Sequence, residues 1–285
     1  MKPLIDSLIK DFRIRFDENI VSIFGIGSFF DKTLPGDWIK KDIDIVVILN
    51  SVETLPKKDW TTAKFEKRQS DGFNIWIGYN SLRSLLNKDL FSRESFSNYA
   101  WSILDLKYPQ NSVLLYGKDI RSDLPKRSDL QFEFDDILKR SLYHLDQSYR
   151  AEYREKNMEI SKHALTKAVF KFCFYLSVFF EQNFTSTSIR TIAKQLNRFV
   201  KEGIIKKKIL EILRECILYR RTNQFRIEFH TLRMDFMQYL ISNLGEGTFH
   251  ARMNYPTLIE YLENSYRGLE YIIKLLKKAN LKNNV

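Results

Sequence analysis

Gly27-Ser28 and Asp42-Ile43-Asp44, separated by thirteen residues, are the part of this sequence best suited to chemistry. A glycine before a serine at the end of a strand lets backbone N–H groups approach an anion closely, and the hydroxyl adds a donor for a phosphate oxygen. Asp42 and Asp44 stand two apart, so on a strand both carboxylates face one way and can hold a hard cation, while Ile43 and Ile45 face the core. Side-by-side carboxylates repel unless a cation lies between them. A magnesium nucleoside triphosphate relieves that repulsion. The implied reaction is attack of an acceptor hydroxyl on the α-phosphate with release of pyrophosphate. Lys40 and Lys41 precede the acidic pair, within reach of phosphate or in a solvated loop.

Phe24-Gly25-Ile26-Gly27-Ser28 with Lys41-Asp42-Ile43-Asp44-Ile45 resembles the signature of the nucleotidyltransferase superfamily related to DNA polymerase beta. The resemblance spans residues 20–120 and is most specific over 24–49. It implies that Gly27 and Ser28 contact the triphosphate and that Asp42 and Asp44 bind Mg2+, while Lys41, from its place before the acids, is the further nucleotide-binding candidate. Members of the family commonly add a third carboxylate on a following strand. The matching strand here, Phe73-Asn74-Ile75-Trp76-Ile77, offers Asn74. An amide coordinates only through a neutral oxygen and is no general base near neutral pH. Asp71, in the preceding turn, is the substitute chosen as the third catalytic acid, with Glu66 and Asp105 also available. A helical half after the catalytic domain resembles the layout of aminoglycoside nucleotidyltransferases.

The elements that must position these residues follow from periodicity. Leu4, Ile5, Leu8, Ile9 and Phe12 predict an opening amphipathic helix. Ile20–Phe24 and Ile43–Leu49 predict strands, as does Phe73–Ile77 after a Ser70-Asp71-Gly72 turn, with Asn80 or Ser81 capping the next helix. Residues 81–87 and 94–106 read as helical, and Ser112–Tyr116 as a last strand or the approach to a linker. The segment Lys118–Ser128 is the expected boundary. Beyond it Leu142, Leu145 and Tyr149 share a helical face with Phe134, Ile137 and Leu138. Further helices are expected over Ala164–Phe180, Ile205–Leu218, Leu232–Leu244 and Leu258–Leu276. The fold class is therefore α+β: a nucleotidyltransferase-like domain over residues 1–120, with a small mixed sheet, then an all-helical bundle over 126–285.

Charge is divided unevenly. Residues 1–125 carry 18 Lys and Arg against 17 Asp and Glu, and the other 160 carry 28 against 18. A basic half suits an anionic partner such as RNA or tRNA, or is a solvated surface. A cationic aminoglycoside, the next acceptor class, prefers an acidic cleft. Cys173 and Cys216 lie among apolar residues and read as buried thiols. His144, His163, His230 and His250 lack zinc-like spacing. Arg226 and His230 read as one helical face forming an RNA or substrate contact surface. Lys162, Lys167 and Lys171 lie among aromatics that read as helix core. The longest apolar run, Phe172–Phe180, is short of a membrane span, and no signal segment is evident, so a cytoplasmic protein without membrane association is expected. The alternative to an enzyme is a nucleotide-binding or partner-binding module, such as half of a toxin and antitoxin or defence pair, with a protein partner.

Overall fold

The computed structural model describes residues 2–53, 55, 65–95, 98–132 and 134–245. These form two compact units, Met1–Gln131 with Gln182–Thr191, and Phe132–Glu181 with Ile192–Val285. The expected helix over Leu258–Leu276, and His250, lie outside the described residues.

The first unit opens with helix α1 (Lys2–Phe16) and continues with strands β1 (Ile20–Ile26), β2 (Asp42–Leu49), β3 (Phe65–Ser70) and β4 (Phe73–Ser81). Helices α2 (Leu82–Leu86), α3 (Lys88–Glu94) and α4 (Tyr99–Lys107) follow, then β5 (Ser112–Gly117). The five strands lie in the order β3-β4-β2-β1-β5. β1 is antiparallel to β2 and β5, β2 runs parallel to β4, and β3 is antiparallel to β4. Ser112–Tyr116 is thus a strand rather than a linker approach.

The apolar face of α1 supplies Leu8, Phe12 and Phe16 to a core with Ile23, Ile43, Ile45, Val47, Ile75, Ile77 and Tyr79. That packing fixes which face β2 turns inward. Asp42 and Asp44 consequently share the opposite face and are half-buried. Ser81 caps α2 by accepting from the Ser84 N–H, as expected from its type and place. The strand β3 lay outside the sequence expectation. Three of its six residues, Glu66, Lys67 and Arg68, are charged, as suits an edge strand.

The second unit contains α5 (Phe134–Tyr153), α6 (Met158–Phe180), α8 (Lys208–Thr222) and α9 (Phe229–Gly245), and most of α7 (Ile189–Lys201). Among the described residues it has no strand. α6 is its central helix, packed against α5, α8 and α9. By length and composition α6 could cross a membrane, but 67% of its most apolar window is buried inside the protein. Cys173 and Cys216 are fully buried, as expected, and so are Phe172, Phe174 and Tyr175. The segment Gln182–Thr191, inside the sequence span expected to be helical bundle, belongs to the first unit: Asn111 donates to Thr185 O at 2.6 Å, and its Oδ1 accepts from the Thr187 N–H at 2.9 Å.

Candidate nucleotide site

β1 ends at Ile26, which pairs with Asp44. The next residue, Gly27, has φ +75°, and a Cβ there would lie 2.7 Å from Asp44 Oδ2. Both facts call for glycine: the left-handed backbone disfavours a side chain, and the space is taken by the carboxylate. The chain then turns sharply, with the N–H groups of Phe30 and Asp31 donating to Gly27 O at 3.2 and 3.1 Å. Ser28 is half-buried in this turn and makes no side-chain hydrogen bond among the described residues. Gly25 is needed for another reason, since the Phe30 ring lies where its Cβ would be.

The two lysines of the loop are placed differently. Lys40 Nζ donates to Phe29 O at 2.9 Å and lies 5.8 Å from the Phe29 ring centroid, so its ammonium holds the loop. Lys41 ends the loop, and its carbonyl accepts from the Asn74 N–H at 3.1 Å. That bond begins the parallel pairing of β2 with β4.

The pairing sets what stands beside the acids. Asn74 is opposite Asp42, and Trp76 opposite Asp44. Asn74 Nδ2 donates to Asp42 Oδ1 at 3.4 Å, a weak bond that orients the carboxylate. Next to Trp76 the same face continues into β3, where Phe65 stacks on the indole at 5.3 Å and Lys67 Nζ lies 4.8 Å from the ring centroid. Trp76 was not among the expected site residues, although its alternation with Asn74 along the strand is a sequence signal for the aspartate face.

The substitute acids lie elsewhere. Asp71, at φ +50°, and Gly72, at φ +77°, form a two-residue hairpin turn between β3 and β4, in which Asp71 is exposed and serves the turn. Glu66 projects from the opposite face of β3 and takes hydrogen bonds from Arg68 at 2.5 Å, Tyr79 at 2.6 Å and Arg15 at 3.0 Å. Burial opposes its ionisation, but those donors prevail and hold its pKa at about 2. Asp105 lies in α4. Among the described residues no third Asp, Glu, His or Cys joins Asp42 and Asp44 in a group that could hold a metal ion.

Two half-buried carboxylates on alternate residues of a strand are a donor set that could hold a divalent cation. Arg226 and His230, expected on one helical face, are on different elements: Arg226 is in the loop before α9, and His230 is in the first turn of α9.

No family model and no curated protein sequence matches the chain. Among solved structures it is similar to a spectinomycin adenyltransferase from Enterococcus faecialis determined with ATP and spectinomycin, at 12% identity and a TM-score of 0.49, over 84% of this chain and 97% of that one. It is also similar to a nucleotidyltransferase-like protein from Exiguobacterium sibiricum, at 11% identity and a TM-score of 0.28, over 93% of this chain and 81% of that one.

Proposed function

We propose that the first unit binds a magnesium nucleoside triphosphate and transfers its nucleoside monophosphate to an acceptor hydroxyl. The observation carrying this reading is the contact between Gly27 and Asp44: the end of β1 and the acidic face of β2 converge where the GIGS and DID motifs predict one shared site. Gly27 admits a phosphate oxygen close to the backbone, and the Ser28 hydroxyl donates to it. Asp42 and Asp44 would hold Mg2+, which supplies charge neutralisation at the phosphates. Asn74 orients Asp42 without adding charge. The acceptor oxygen forms a bond to the α-phosphorus, the bond from that phosphorus to the β-phosphate bridge breaks, pyrophosphate departs and the acceptor proton passes to solvent. The charge excess of residues 126–285 favours RNA as acceptor over a cationic aminoglycoside.

Asn74 beside Asp42 favours one further reading, a module that binds the triphosphate without turning it over. Incubation with each labelled nucleoside triphosphate, magnesium and total RNA, with Asp42→Ala as control, separates the two. Asp42-dependent label in RNA supports transfer. Triphosphate binding with no label in any acceptor supports the binding module and overturns transfer.

A further inference from the structure

The loop joining α8 to α9 borders an open depression of about 320 Å³ on the surface of the helical unit, lined by Lys162 on α6, by Asn223, Gln224, Phe225, Ile227 and Glu228 of the loop, and by Phe229. The loop is held in shape by hydrogen bonds to its backbone and by the Glu228 cap. Asn223 ends α8 in the left-handed conformation, its N–H donating to Tyr219 O at 2.8 Å. The Glu215 carboxylate accepts from the N–H groups of Arg226 at 2.8 Å and Ile227 at 3.3 Å. Glu228 caps α9 by accepting from the Thr231 N–H at 2.8 Å.

The chemistry lining the depression is specific. Phe225 stacks on Tyr219 with 4.6 Å between centroids and planes 10° apart and on Phe229 at 6.0 Å and 27°, and its ring remains half-exposed. Glu228, the carboxylate of this lining, is hydrogen-bonded to His230 Nδ1 at 2.7 Å, and the other nitrogen of that imidazole faces Glu152 at 2.8 Å. Lys162 is half-buried and forms no ion pair among the described residues. The Asn223 and Gln224 amides each offer a donor and an acceptor. A ligand here meets the exposed part of the Phe225 ring, amides able to read a polar ring edge, and the Lys162 ammonium, with the Glu228 carboxylate at the border.

We propose that this depression is a second nucleotide site, separate from Gly27 and Asp44, in which a base stacks on Phe225 and its phosphate pairs with Lys162. The nucleotide is either free or part of an RNA strand, since both present the same base and phosphate. The test uses the full chain carrying Asp42→Ala and Asp44→Ala, so that the triphosphate site is disabled. The probes are 2-aminopurine riboside 5′-monophosphate and a tetraribonucleotide containing it, whose fluorescence falls on stacking. Saturable quenching is expected, with affinity reduced about tenfold by Lys162→Met, quenching lost in Phe225→Leu and retained in Phe225→Tyr. Tighter binding of the monophosphate assigns the site to free nucleotide, and tighter binding of the oligomer assigns it to RNA. Absence of quenching, or quenching unaffected by Lys162→Met and Phe225→Leu, overturns the proposal and leaves the first site standing.

Discussion

Asn74→Asp is the most informative single change, because it places a third carboxylate beside Asp42 without altering side-chain shape. Asn74 Nδ2 lies 3.4 Å from Asp42 Oδ1, so the variant exchanges a weak hydrogen bond for two like charges at near contact. At ~4 Å that repulsion is ~1 kcal/mol in water and ~4 kcal/mol at an effective dielectric of ~20. The half-buried pair falls between these limits. Without divalent metal the first unit should therefore lose ~1–4 kcal/mol, a fall of ~2–4 °C in melting temperature per kcal/mol. The introduced acid has its folded pKa raised above its unfolded value of ~3.9, so the destabilisation is absent below that pH and grows as pH rises. Magnesium should reverse it, since metal at ~100 times its dissociation constant adds ~2.7 kcal/mol. The assay is thermal unfolding of wild type and variant in EDTA and in magnesium chloride. Equal melting temperatures in EDTA, with no extra gain from magnesium in the variant, would refute the side-by-side placement of residues 42 and 74. If the missing acid also limits turnover, the variant should raise the rate of label transfer about tenfold or more.

Gly27→Ala forces a side chain into the left-handed region and against Asp44, and should cost ~1–2 kcal/mol in denaturant unfolding while weakening triphosphate binding more than Gly36→Ala, where a Cβ meets nothing within 4 Å. Glu152→Ala removes the carboxylate that takes a 2.5 Å bond from Arg233 Nη2; Arg233 is 2% exposed, so an unpaired buried charge should cost ~3–5 kcal/mol, read from the midpoint of urea unfolding. Hydrogen bonds from His230 to Glu152 and then to Glu228 raise its pKa. The stability this pair of contacts contributes is therefore complete below ~6.5 and lost as pH rises through the higher folded value, so unfolding free energy should fall with pH above neutrality in wild type and not in His230→Gln.

The aspartate face was legible because the alternation of Asp42 and Asp44 with Ile43 and Ile45 has the period of a half-buried strand, and the core against α1 leaves those acids the other face. What lies beside them was only partly so. Asn74 could be identified by its place on the next strand, but its donation to Asp42 and the juxtaposition of Trp76 with Asp44 depend on the β2–β4 register. β3 escaped notice because Glu66 and Arg68 face α1, and their partners Arg15 and Asp11 on α1 and Tyr79 on β4 are 13 to 57 residues away in sequence. No local pattern carries such a network. The same holds for Gln182–Thr191, whose attachment to the first unit rests on Asn111. α7, not among the expected helices, did carry a signal: Ile189, Ile192, Leu196 and Phe199 stand at helical spacing and are all buried.

Gly27-Ser28 and Asp42 with Asp44 are proposed above to form one triphosphate site. Calorimetric titration of the full chain with each nucleoside triphosphate in magnesium, repeated with Asp42→Ala and Asp44→Ala, addresses it most directly. Magnesium-dependent binding of at least one triphosphate, weakened about tenfold or more by either substitution, is the predicted result. Binding that neither substitution weakens, or no binding of any triphosphate, would contradict it.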